Sequence, residues 1–151
     1  MKKLVAYFSA SVGNTRKRAQ ELAQVTGADL VEIRPAAPYT KEDLDWTNRQ
    51  SRSTVEMRDP ASRPEIVDGK VDAASYDVVY IGFPIWWGEA PREVNTFLEA
   101  NDFTGKTIEL FATSGGSGIR KAVQALQETY PALSIAGGKL TNGRITSDIL
   151  D

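Results

Sequence analysis

A polar loop, Ser9-Ala10-Ser11-Val12-Gly13-Asn14-Thr15, stands between an apolar run, Leu4-Val5-Ala6-Tyr7-Phe8, and a stretch with helical periodicity. That order places the loop at a helix N-terminus, where unpaired backbone N–H groups and the positive end of the helix dipole favour an anion. The hydroxyls of Ser9, Ser11 and Thr15 and the amide of Asn14 add neutral donors, and Gly13 lets the backbone approach a ligand closely. There is no lysine in the loop, so it is not the G-x-x-x-x-G-K-[ST] loop that grips a nucleotide triphosphate. These residue types suit a monophosphate. The alternative is a turn closed by an Asn or Thr helix cap.

What the chain lacks narrows its chemistry. With no cysteine, disulfides, iron–sulfur clusters, thiolate zinc sites and cysteine nucleophiles are excluded. With no histidine, the usual general base and the Ser-His-Asp triad are excluded as well. Gly115-Gly116-Ser117-Gly118 has part of a nucleophile elbow, but Ile119 stands where the last glycine belongs. Redox or group-transfer chemistry therefore falls to a bound cofactor.

The elements that must position these residues follow from periodicity. The first strand–loop–helix unit runs from Lys3 to about Thr26, its helix aligning Thr15, Ala19, Leu22, Ala23 and Thr26, with Gly27 as C-cap. In the second, Asp77 to Gly82 is a continuous apolar run after its first residue, as in a strand buried on both faces. After the loop Phe83 to Ala90, Pro91 fits the first position of a helix with Val94, Phe97 and Leu98 on one face. The third joins a strand at Thr107–Ala112, a loop from Thr113 to Gly118, and a helix aligning Ile119, Ala122, Val123 and Leu126 that Pro131 stops. Two short strands are predicted at Leu30–Ile33 and Leu133–Ile135. Strands alternating with helices imply a parallel sheet covered on both faces. Ligands of such sheets sit at the carboxyl ends of the strands, where all three loops fall.

The stretch from Pro35 to Tyr76 is harder to place. Lys41 to about Val55 is read as a helix capped by Thr40, although its apolar periodicity is poor, and Arg58 to Ser75 as a solvated connector in preference to a flap at the ligand edge. The 151 residues are the size of one ordinary domain, here 1–151. A net charge of −2 gives no electrostatic case for nucleic acid. No apolar run is long enough to cross a bilayer. Lys2-Lys3 with the apolar run after them is too short for a signal peptide and reads as the first strand, so the protein is expected to be cytoplasmic.

The segment Tyr7-Phe8-Ser9-Ala10-Ser11-Val12-Gly13-Asn14-Thr15 resembles the flavodoxin phosphate loop, written S/T-x-T-G-N-T, with Val12 in place of the usual Thr. The backbone N–H survives that change, so phosphate binding is expected with one hydroxyl fewer. Gly82-Phe83-Pro84-Ile85-Trp86-Trp87-Gly88-Glu89-Ala90-Pro91 resembles the P-I-W-W-G loop of small bacterial flavodoxin-like proteins, and Thr113-Ser114-Gly115-Gly116-Ser117-Gly118 resembles their third loop. Pro38-Tyr39-Thr40 and Asp43-Leu44-Asp45-Trp46 are also similar to that family.

The resemblance implies an α/β flavodoxin-like three-layer sandwich with a five-stranded parallel sheet in the order 2-1-3-4-5, the arrangement for which flavodoxin is a standard example. It implies that Ser9, Ser11, Val12, Gly13, Asn14 and Thr15 hold the phosphate of FMN. Pro84, Ile85, Trp86, Trp87 and Gly88 would line the isoalloxazine on one side, and Thr113, Ser114, Gly115, Gly116 and Gly118 on the other. The family ends in a full helix on the sheet, whereas this sequence stops at Asp151 soon after Ser147. A longer chain or a partner is then expected to cover that face.

Two adjacent tryptophans in a loop are costly to expose, and indole stacks on flat heteroaromatics such as flavin. The expectation is that at least one of them contacts the flavin, with packing of one into the core beneath the loop as the alternative. Gly88 beside them can take a positive φ at little cost. Arg16, Lys17 and Arg18 are read as a solvated face, with attraction of a dianion as the alternative. Tyr39 and Trp46 are read as packing residues or as a lid.

The functional expectation is an FMN-binding electron-transfer protein that meets redox partner proteins, among them a flavoprotein reductase, and binds neither nucleic acid nor membrane. One alternative is an FMN-dependent NAD(P)H:quinone-type oxidoreductase, which would need room for a substrate ring beside the flavin, for instance at a homodimer interface. The near-neutral charge leans toward it, since one-electron carriers often present an acidic docking face. A second alternative is a non-redox, flavodoxin-shaped binding module. The intact phosphate loop argues against that one.

Overall fold

The computed structural model describes residues 2–10, 14–113 and 118–141. Along the chain the elements are β1 (Lys3–Tyr7), α1 (Asn14–Thr26), β2 (Asp29–Glu32), β3 (Arg34–Pro35), α2 (Arg52–Arg58), β4 (Ile66–Val67), β5 (Val78–Pro84), α3 (Arg92–Ala100), β6 (Thr107–Thr113), α4 (Arg120–Thr129) and β7 (Ser134–Leu140). Five of the strands form one parallel sheet in the order β2-β1-β5-β6-β7, while β3 and β4 pair as a separate antiparallel ribbon. Leaving the ribbon out of the count, the sheet strands run second, first, third, fourth, fifth along the chain.

The alternation of a pleated strand divides the core between the two faces. Leu4 and Ala6 of β1, with Phe8 just beyond, join Val79, Ile81, Phe83 and Leu110 in a cluster closed by Val94, Phe97 and Leu98 of α3 and Ala122 and Leu126 of α4. Val5 and Tyr7 point the other way, with Phe111, against Ala19, Leu22 and Ala23 of α1. At the end of α1, Gly27 has φ +72 and the Ala28 N–H donates to the Ala23 carbonyl at 3.0 Å, the six-to-one bond of a Schellman cap.

Several boundaries differ from the sequence reading. Arg18 is buried, not solvated, because the helical period puts it on the face of Thr15, Ala19 and Leu22; it lies 3.4 Å from Glu21. Arg16 and Lys17 remain exposed. Pro91 stands one position before α3 as its N-cap, its carbonyl accepting from the Val94 N–H at 3.0 Å. Strand β5 continues to Pro84, which pairs opposite Thr113. Strand β7 continues to Leu140 through Gly137 and Gly138, beyond the predicted end at Ile135. A Cβ on Gly138 would stand 2.6 Å from Ile119 Cδ1 and 3.1 Å from the Leu110 carbonyl, so the glycine is what lets this edge strand close on β6.

The largest correction lies between Pro35 and Tyr76. The expected helix over 41–55 is a series of turns, and α2 begins only at Arg52, capped by Ser51, whose hydroxyl accepts from the Thr54 N–H. Thr40 and Asp43 do exchange capping bonds of 2.9 and 3.1 Å. Downstream, the side chains of Asp45 and Asn48 accept from the N–H groups of Thr47 and Gln50 at 3.0 and 2.9 Å, and those local bonds compete with a helix ladder. Nor is Arg58–Ser75 a solvated connector. The β3–β4 ribbon, half-buried Ile66, Val71 and Ala73, and an Asn101 side chain that donates to the Gly69 carbonyl and accepts from the Val71 N–H, both at 2.8 Å, wrap it onto the α3 face. The expectation about the last helix falls on residues 142–151, outside the described residues.

Candidate functional site

Thr113, the last residue of β6, is the junction of the three loops at the carboxyl edge. Its hydroxyl lies 2.7 Å from that of Thr15 in the first turn of α1, and its carbonyl accepts from the Ile85 N–H at 3.0 Å. Both threonines are buried. The parallel register makes this meeting unavoidable: Tyr7 is opposite Gly82, and Gly82 is opposite Phe111, so the strands run out together. Ser9 and Ala10 are half-buried beside them.

The second loop is a two-residue hairpin. Trp86 and Glu89 exchange both backbone hydrogen bonds at 2.9 Å, and the central residues Trp87 and Gly88 have φ of +51 and +81, the signs of a type I′ turn. Gly88 occupies that region freely, whereas a bulky aromatic there is strained. The turn sends the two indoles apart. Trp86 is half-buried, edge-on to Phe8 and Tyr39 with ring centroids 5.6 and 5.5 Å away. Trp87 is 44% exposed, and its carbonyl accepts from Lys121 Nζ at 3.3 Å. The indole left open to solvent is therefore Trp87, while Trp86 is the one that packs beneath.

At its N-terminus, α1 begins Asn14-Thr15-Arg16-Lys17-Arg18, with no acidic residue in its first turn. Exposed cations at a helix N-terminus add to the positive dipole end and are balanced by a bound anion. Asn14 is the first residue of the helix, so the reading of it as the cap does not hold, and the position before it, Gly13, is outside the described residues. The same is true of Ser11, Val12, Ser114, Gly115 and Gly116. Gly118 is exposed, and a Cβ there would meet nothing within 4 Å, so sterics do not require glycine at that position. Trp46 is 74% exposed.

A polar group behind Trp86 escaped the sequence reading. The Tyr39 hydroxyl is hydrogen-bonded to Glu56 and to Glu93, and the Arg52 guanidinium lies 3.8 Å over the Tyr39 ring. Glu93 is fully buried on α3, and burial pushes its carboxyl up to about 7. Burial and the neighbouring carboxyls also push the Tyr39 hydroxyl well above its ordinary range. One signal existed: Glu93 is four residues before Phe97, on the helix face that had to be buried.

A flavodoxin family model matches residues 2–151, and the chain belongs to the flavodoxin family. Its fold is similar to a crystal structure from Bacteroides eggerthii DSM 20697, with 50% identity, 99% of this chain and 92% of that chain covered, and a TM-score of 0.94. It also resembles a flavoprotein from Lactobacillus acidophilus NCFM crystallised in complex with FMN, at 23% identity over 92% of each chain and a TM-score of 0.73. Among curated sequences, the flavodoxin of Haemophilus influenzae is 27% identical over 109 residues, 70% of this chain and 46% of the relative. The chain thus spans about half the length of the curated relatives it matches.

Proposed function

We propose that the protein binds FMN at the carboxyl edge of the sheet and works as an electron carrier. The observation that supports this reading best is the joining at Thr113 of a cation-flanked helix N-terminus and a strained hairpin presenting an open indole. A phosphate needs the first and a planar heteroaromatic ring the second. Family membership agrees with it, as does the FMN complex of the Lactobacillus acidophilus neighbour. In this reading the α1 N-terminus, with Ser9, Ser11, Val12, Gly13, Asn14 and Thr15, holds the phosphate. Trp87 stacks on the ring, Trp86 supports the hairpin from below, and the loop of Ser114, Gly115, Gly116 and Gly118 lines the far side. Counting β3 and β4 as an insertion gives the flavodoxin strand order 2-1-3-4-5, with 1–151 as one domain.

When bound, FMN supplies the electron-accepting and electron-donating chemistry, consistent with a chain that has no histidine or cysteine. The protein's share is to fix the ring, exclude water from one face and leave the other edge open to a redox partner such as a flavoprotein reductase. The test is an absorbance spectrum of the purified protein, followed by anaerobic mixing with NADH and with NADPH. A carrier shows a flavin spectrum, slow reduction by either nucleotide alone, and fast reduction once a flavoprotein reductase is added. Rapid, saturable reduction by a nicotinamide alone with quinone turnover would replace the carrier with an oxidoreductase.

A further inference from the structure

Tyr39 carries one hydroxyl hydrogen, yet its oxygen is within hydrogen-bonding distance of Glu56 Oε1 and of Glu93 Oε2. With both carboxyls ionised, one of those contacts would be a bare oxygen–oxygen repulsion. The arrangement closes only if one carboxyl brings a proton of its own. Glu56 is ion-paired with Arg52, whose Nε–H donates to Glu56 Oε2 at 3.1 Å. Glu93 is fully buried, and its Oε1 has no hydrogen-bond partner among the described residues. A buried carboxylate oxygen without a partner is prohibitively costly, whereas a carbonyl oxygen in the same place costs far less.

We infer that Tyr39, Glu56 and Glu93 form a part-buried proton-holding site, ordered Glu93 Oε2–H to Tyr39 Oη–H to Glu56 Oε1, that sets the position of Trp86. The proton is bound on Glu93 and leaves along the chain of oxygens to the less buried Glu56 and from there to solvent water, each O–H passing its hydrogen to the next oxygen, so that both carboxyls end ionised. Burial weakens the Glu93 carboxyl as an acid, which agrees with a proton held on that residue. Few other charges face the group. From α2 these are Arg52 and Glu56, with Asp43 4.0 Å from Arg52, and from α3 itself Arg92, which is turned to the Glu56 and Met57 carbonyls and to Glu89.

The link to the ligand edge is the Tyr39 ring, which meets both Phe8 and Trp86 edge-on. When Glu93 loses its proton, Tyr39 can donate to only one of two like-charged carboxylates, and its hold on Trp86 changes. The proton site stands on the protein alone; its effect on flavin rests on the FMN reading above.

The experiment follows glutamate carboxyl carbons by NMR in the apoprotein labelled with 13C-glutamate, from about pH 5 to about pH 9. Glu93→Gln and Glu56→Gln assign the signals, and the Trp86 indole N–H is followed in parallel, assigned with Trp86→Phe. One carboxyl, lost in Glu93→Gln, is expected to titrate about 2 units above the exposed glutamates, and the Trp86 signal to move with the same midpoint. In Tyr39→Phe that midpoint shifts and Trp86 no longer follows it. Glutamates that all titrate in the ordinary range, or a Trp86 signal that ignores pH, would overturn the site. Should Glu93→Gln not fold, the wild-type titration decides alone. FMN dissociation constants are then measured on either side of the midpoint, with a severalfold weakening expected on the alkaline side. A titrating Glu93 with pH-independent FMN binding removes the coupling, and a protein that binds no FMN at all overturns the flavin reading while the carboxyl titration still judges the proton site.

Discussion

The hydroxyls of Thr15 and Thr113 meet at 2.7 Å in a buried position although 98 residues separate them in the chain. This one bond holds the first turn of α1 against the end of β6. Thr113→Val keeps the shape and strands the Thr15 hydroxyl without its partner, a loss of about 1–3 kcal/mol. Urea unfolding of the apoprotein should show it, and calorimetric titration should show weaker FMN binding. Unchanged stability would mean that Thr15 finds water instead.

Trp87 sits at φ +51, where asparagine is at ease and tryptophan is not. Asn-Gly is also the favoured pair for a type I′ hairpin. Trp87→Asn is therefore expected to raise apoprotein stability by about 1 kcal/mol while weakening FMN binding, and the two effects are read by thermal melting and by titration. A variant that loses stability as well as affinity would show that the indole serves packing.

How much of this was legible in the sequence depended on how local the cause was. The β1 run, the α1 face of Ala19 and Leu22, and the Gly27 cap rest on short-range periodicity and backbone conformation, and they stand as read. The P-I-W-W-G loop was found, but which tryptophan opens outward was decided by the hairpin between Trp86 and Glu89, a tertiary outcome of where β5 stops. The turns over 41–50 were missed because Asp45 and Asn48 bond to their own backbone, a competition that apolar periodicity does not register. Glu93 was missed because a charged residue on a buried face is explained only by partners from distant elements, here Tyr39 and Glu56.

The N-terminus of α1 should make FMN binding depend on its phosphate. Riboflavin is expected to bind at least about tenfold more weakly, since a helix terminus with exposed Arg16 and Lys17 would have no anion to hold. Added salt should weaken FMN more than riboflavin. Equal affinities in titration calorimetry would remove the phosphate assignment.

The buried acid also writes a signature into stability. The Glu93 carboxyl is raised from 4.5 to about 7 in the folded protein, so the folded state holds the proton more tightly than the unfolded chain. Its contribution is complete below about 4.5 and is lost as pH rises through about 7, with a slope of at most about 1.4 kcal/mol per pH unit. Urea midpoints of the wild type should fall over that window relative to Glu93→Gln, which cannot ionise. Parallel curves would place the carboxyl in the ordinary range.

The β3–β4 ribbon has a kinetic meaning. The central pairing of the sheet sets Lys3 opposite Val78, so β1 must wait for most of the first half of the chain before it meets β5. Closing so long a loop is an entropic delay, and topologies dominated by distant pairings fold slowly. Once Arg34 is paired with Val67, the segment between them is a closed loop of its own, and what remains between β1 and β5 is 8–33 and 68–77. If the ribbon forms early, it is expected to act as a shortcut in the order of assembly.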